Sequence, residues 1–194
     1  MHRLPIFMFV VFLSTMAHAG ENPDARLYVD FDPPNYVHDI APLQYSTVTA
    51  YVCLDHLGTG VTVLCFRMED PAVDCPGVCV ASSWAPYWPH PISYPDPWDP
   101  PSGACVSSTE CVDVDEVVVV GEITLFYLGG SCCLELLDHM DYPRWVVDCE
   151  DPPGLDEYCV LEHGSIGGAD CPEGDCEEVS VEPGTWGSMK ALYR

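Results

Sequence analysis

The chain has 194 residues, 48% of them hydrophobic and 19% charged, with 31 Asp or Glu against 6 Lys or Arg for a net charge of −25. That length suits one globular domain, and the supply of aromatic and β-branched residues excludes a disordered acidic tail for its bulk. So few Lys and Arg exclude a clustered phosphate-binding surface, and with it nucleic acid as a partner.

Residues 1–20 read MHRLPIFMFVVFLSTMAHAG. A short basic start at Arg3, an apolar run and small residues at Ala17 and Ala19 are the pattern of a secretory signal peptide, residues 1–19, cleaved after Ala19. The apolar run is far shorter than the roughly 20 residues of a membrane span. The expectation is a protein that is secreted, periplasmic or at the cell surface, with no membrane insertion after cleavage.

All twelve cysteines follow that point: Cys53, Cys65, Cys75, Cys79, Cys105, Cys111, Cys132, Cys133, Cys149, Cys159, Cys171 and Cys176. An even number in an oxidising compartment points to disulfides. Zinc sites use repeated C-x2-C pairs completed by His, and no C-x2-C occurs here.

Short β-branched or aromatic runs at 26–31, 46–55, 61–68, 78–84, 117–128, 132–137 and 144–149 are separated by Gly, Pro and Asp clusters. That is the pattern of an all-β domain, and about seven to nine short strands suggest a sandwich. The predicted organisation is a sandwich over 20–149, an acidic Gly- and Cys-rich extension over 150–184, and a tail over 185–194. Between the second and third runs, DHLGTG reads as a hairpin turn centred on Thr59. That register sets Cys53 opposite Cys65 and Val52 against Phe66, so Cys53–Cys65 is the first bridge expected; the alternative is that each bonds to a loop. Adjacent Cys132 and Cys133 point to opposite sides of a strand and need separate partners. The short-loop pairs 75/79, 105/111 and 171/176 require their Cα atoms within about 7 Å.

From 84 to 101 the chain reads WAPYWPHPISYPDPWDPP, too rich in Pro for a central strand and expected as a surface loop. Trp84, Tyr87, Trp88, Tyr94 and Trp98 either stack on a sugar or grip a Pro-rich peptide, or they cover the edge of the sandwich. Calcium is a further candidate because carboxylate oxygens are its preferred ligands: Asp30 with Asp32, Asp113 with Asp115, and Asp170, Glu173 and Asp175 are the groups to inspect. None fits the D-x-[DN]-x-[DN]-G loop, and the other reading is a solvated anionic surface. No H-E-x-x-H or G-x-S-x-G is present, and His163 beside Ser165 is a weak pairing for a hydrolase.

In the tail, TWGSMKALYR, Thr185 is an N-cap candidate. Trp186, Met189 and Tyr193 share one helical face, while Lys190 and Arg194 lie on the polar side. The segment reads as a short helix docked on the sandwich or as a recognition tag for export or surface attachment.

The order of LYVDFD, TVTAYVCL, GVTVLCFRMED, GEITLFYLGG and the closing TWGSMKALYR resembles uncharacterised secreted bacterial proteins whose domains are cohesin-like or immunoglobulin-like sandwiches; GEITLFYLGG is similar to a cohesin core strand. The resemblance implies no catalytic residues. The chain is thus expected to be an all-β, disulfide-stapled sandwich, a non-catalytic binding or structural protein whose partner is a protein or glycan of the extracellular space. A carbohydrate-binding module using loop 84–98 comes next and a hydrolase last.

Overall fold

The computed structural model describes residues 20–88, 96–98, 102–113 and 117–176. Residues 1–19, expected as a signal peptide, Tyr94 and the tail bearing Trp186, Met189, Lys190, Tyr193 and Arg194 lie outside the described residues. In chain order the strands are β1 (Arg26–Asp30), β2 (Asp39–Ile40), β3 (Ser46–Asp55), β4 (Val61–Met68), β5 (Cys79–Pro86), β6 (Ala104–Val112) and β7 (Val117–Tyr127). They continue with β8 (Cys132–Leu134), β9 (Leu136–Leu137), β10 (Trp145–Asp148), β11 (Leu155–Glu157), β12 (Cys159–Glu162) and β13 (Gly164–Ile166). The one helical turn among the described residues, α1 (Pro71–Asp74), starts where the Asp70 carboxylate accepts the Ala72 N–H and Pro71 supplies the first helical position.

Two main sheets face each other. One has the order β12-β1-β3-β7-β5; the other runs β11-β10-β4-β6 with β9 added at the end of β4. A small third sheet, β2-β13-β8, closes one side. Alternation along each strand sends one set of side chains inward. Leu27, Val29, Ala50, Val52, Ile123 and Leu125 come from the first sheet and meet Val61, Leu64, Phe66, Met68, Val106 and Val146 from the second in one apolar core. This is the all-β sandwich that the strand pattern predicts.

The expected hairpin is not formed. β3 is hydrogen-bonded to β1 along one edge and to β7 along the other, with Tyr28 opposite Cys53 and Val119 beyond it, so neither edge is left for β4. The DHLGTG segment crosses between the sheets instead, held by the Gly58 and Thr59 N–H groups donating to Asn22 Oδ1, both at 2.9 Å. Cys53–Cys65 is therefore absent. Cys65 stands directly across the β4–β6 pair from Cys105 and bonds to it.

Four further bridges join Cys75 to Cys132, Cys111 to Cys149, Cys133 to Cys171 and Cys159 to Cys176, while Cys53 and Cys79 are buried free thiols. None of the short-loop pairs exists. Cys105 and Cys111 sit six residues apart on β6, which at 3.3 Å per residue separates them by roughly 20 Å. Cys132 and Cys133 have separate partners, as their opposite orientations on β8 require. The two main sheets also continue past Cys149: β11 pairs with β10, and β12 lies parallel to β1.

Candidate functional site

The outer surface of the first sheet divides into two halves. On β3 the residues after Tyr51 that face outward are Cys53 and Asp55, paired with Tyr28 and Arg26 of β1. The segment from Phe31 to His38 folds over them like a roof. Asp30, fully buried, holds it down by accepting the backbone N–H groups of Asp32 (2.8 Å), Tyr36 (3.1 Å) and Val37 (3.0 Å). Tyr36 stacks on Tyr28 with ring centroids 5.3 Å apart and donates its hydroxyl to Asp55 at 2.8 Å. The Arg26 Nε–H donates to the same carboxylate at 3.0 Å. Burial, and then the charges of Asp30 and Asp55, push the Cys53 thiol up, so it stays protonated and unreactive at neutral pH.

The other half is open. Three rows run across β3, β7 and β5 in register: Thr47–Phe126–Val80, Thr49–Thr124–Ser83 and Tyr51–Glu122–Ala85. Residues directly opposite on antiparallel strands share a face, and the alternating partners Val48, Ala50, Ile123 and Leu125 are in the core. Leu43 (83% exposed) and Tyr45 (67%) flank one end. Tyr87 closes the other; it donates its hydroxyl to Glu122 and meets Tyr51 edge-on at 6.3 Å. That hydrogen bond, followed by burial, pushes the Tyr87 phenol up to about 12. The three rows thus carry one charge, that of Glu122, already engaged, in a chain with 31 acidic residues.

Among the described residues of the aromatic loop, Trp84, Trp88 and Trp98 do not form an exposed row. Trp84 points inward, edge-on to Phe66 at 5.6 Å, over the space left by Gly121, where a Cβ would lie 2.5 Å from its ring. Trp88 is 3% exposed and belongs to the core, and Trp98 packs against it. These three rings pack on or in the core, where their apolar surface is withdrawn from water. Tyr87 alone of the described members is exposed, through its place on the ladder face.

Among the described residues no group of three or more His, Cys, Asp or Glu is placed to hold a metal ion. Asp30 is taken up by backbone N–H groups, as above, and Asp175 accepts the Val160 N–H at 2.8 Å and pairs with Arg144. Asp115 lies outside the described residues. His163 and Ser165 are not partners: His163 Nδ1 accepts the Leu136 N–H at 3.0 Å, while the Ser165 hydroxyl donates to Asp39 at 2.9 Å. Of the arrangement on this sheet, the alternation Thr47, Thr49, Tyr51 was visible in the sequence, but the neighbours that complete each row come from strands about 30 residues or more away.

No protein-family model matches the chain, nor does any curated protein sequence. Among solved structures, a complex of CaCohA2 with a CaDoc0917 variant, crystallised at pH 5.5, is similar at 14% identity, covering 73% of this chain and 97% of the matched chain with a TM-score of 0.47. The solution structure of CaCohA2 from Clostridium acetobutylicum is similar at 15% identity, covering 76% and 94% of the two chains with a TM-score of 0.48.

Proposed function

We propose that this is an exported, non-catalytic binding protein that docks a protein partner on the ladder face of β3, β7 and β5. The charge-poor face itself carries this reading. A chain with a net charge of −25 repels neighbours over most of its surface, and a flat patch of Thr, Val, Phe, Tyr and Ala is where contact costs least desolvation. The five disulfides support an oxidising, extracytoplasmic setting, since such bridges form and persist there. The roof from Phe31 to His38 and the Asp30 clamp brace the same sheet beside the face, which limits the entropy lost on docking.

The test is retention of exported proteins from the source culture medium on the immobilised mature protein, beside a Thr124→Glu variant with an unchanged melting temperature. A discrete protein held by the wild type and lost from the variant is the expected result. Equal retention by both, or none by either, would remove the ladder face as the binding surface.

A further inference from the structure

Between the β4–β9 pair and the segment that follows β13 lies a cleft of about 390 Å³. We propose that this cleft is a separate binding site for a zwitterionic ligand of the amino-acid or short-peptide class, with its carboxylate on Arg67 and its ammonium group between Glu135 and Glu173.

The chain's own charges leave those positions open. Three guanidinium groups belong to the described residues. Arg26 sits on Asp55, and Arg144 joins Asp138 at 2.7 Å as well as Asp175. Arg67 lines the cleft yet makes no ion pair with a carboxylate among the described residues; its Nε–H reaches the Asp138 carbonyl oxygen at 3.4 Å, and its charge acts on the Glu69 carboxyl without a direct contact. In so acidic a chain a guanidinium fork without a carboxylate is an unfilled recognition element, because its five donors match a carboxylate in bidentate geometry.

Glu135 and Glu173 line the same cleft and have no ion pair among the described residues. Glu135 is close enough to Glu69 to help push that carboxyl up, behind burial and Asp74. A simple anion would meet Arg67 but be repelled by these two carboxylates, and a simple cation would leave Arg67 without a partner. A ligand carrying both charges satisfies both.

The rest of the wall fits a small polar molecule with a side chain. His163 accepts the Leu136 N–H at Nδ1, so the ring proton resides on Nε2 as a further donor. Leu136, Leu137, Val160 and Pro172 give apolar cover. The volume is at the low end of the roughly 300–1,000 Å³ of small-molecule sites, which suits a dipeptide.

Calorimetric titration of the full mature protein with L-alanyl-L-alanine tests it, with N-acetyl-alanyl-alanine and alanyl-alanine amide as probes lacking one charge each. Saturable binding of the dipeptide is expected, weakened about tenfold or more by either block, a change of about 1.4 kcal/mol per factor of ten. Arg67→Gln should weaken the dipeptide by a similar factor, and a Glu135→Gln, Glu173→Gln double variant covers the case in which Arg67→Gln does not fold. Failure of the dipeptide to saturate, or equal binding of blocked and unblocked forms, would overturn the site, whereas loss of retention in Thr124→Glu bears only on the ladder face.

Discussion

Two buried histidines show how single side chains tie this fold to pH. His163 accepts the Leu136 N–H, and His139 accepts the N–H groups of Asp141 and Tyr142 at 3.2 and 3.1 Å, in each case through Nδ1. Burial holds both below the ordinary histidine range, more than the nearby carboxylates raise them. The unfolded chain therefore binds more protons than the folded one near and below pH 6.5, so the stability these rings contribute is complete above that pH and declines as pH falls. Each can contribute a slope of at most about 1.4 kcal/mol per pH unit. Denaturant melts at pH 7.5 and 5.5 should show wild type losing stability, and His163→Gln, whose amide oxygen still accepts the Leu136 N–H, losing less. Equal losses would mean that His163 is not the sensor. No feature of the local sequence around His163 announced this, because Leu136 is 27 residues away.

At the scale of elements, β7 is the strand on which the sheet depends, since it pairs with β3 along its whole length and with β5 on its other edge. Its Gly121 is where Trp84 crosses: a Cβ there would lie 2.5 Å from the indole and 2.6 Å from the Ala85 carbonyl oxygen. The backbone oxygen cannot rotate away as a side chain does, so Gly121→Ala should destabilise by about 1–3 kcal/mol, read as a lower denaturation midpoint at constant m-value. An unchanged midpoint would show that the β5–β7 pair gives way freely. Strand positions were legible in the sequence: β3 and β4 run over the residues expected, and β1, β5, β7 and β10 shift by only a residue or two. β6 was missed because ACVSSTECV has few large apolar residues, although Ala104, Val106 and Ser108 alternate inward. The short β11, β12 and β13 were missed because Gly, Asp and Glu dominate around them.

For the molecule as a whole, the disulfide network and its two exceptions give the sharpest check. Cys53 is opposite Val119 and Cys79 opposite Tyr127 on the same β7, eight residues apart, a separation of about 27 Å that no bridge can span. Titration of the protein with a chromogenic thiol reagent should find no reactive thiol in the native state and two per molecule in denaturant. Zero in denaturant would mean a different pairing. Cleavage of the bridges should cost about 2–5 kcal/mol for each one removed, enough in sum to unfold a chain whose self-repulsion is already large. What the amino-acid order settled by itself is local: strands with period-two burial, and adjacent cysteines on β8 that need separate partners. Which strands became neighbours, and so which cysteines bonded, which tryptophans turned inward and which face stayed uncharged, was decided by the pairing of distant segments. The physical reason is that alternation specifies which side of a strand is buried but leaves its partner open, and with β1 and β7 on the two edges of β3 there is no edge left for β4.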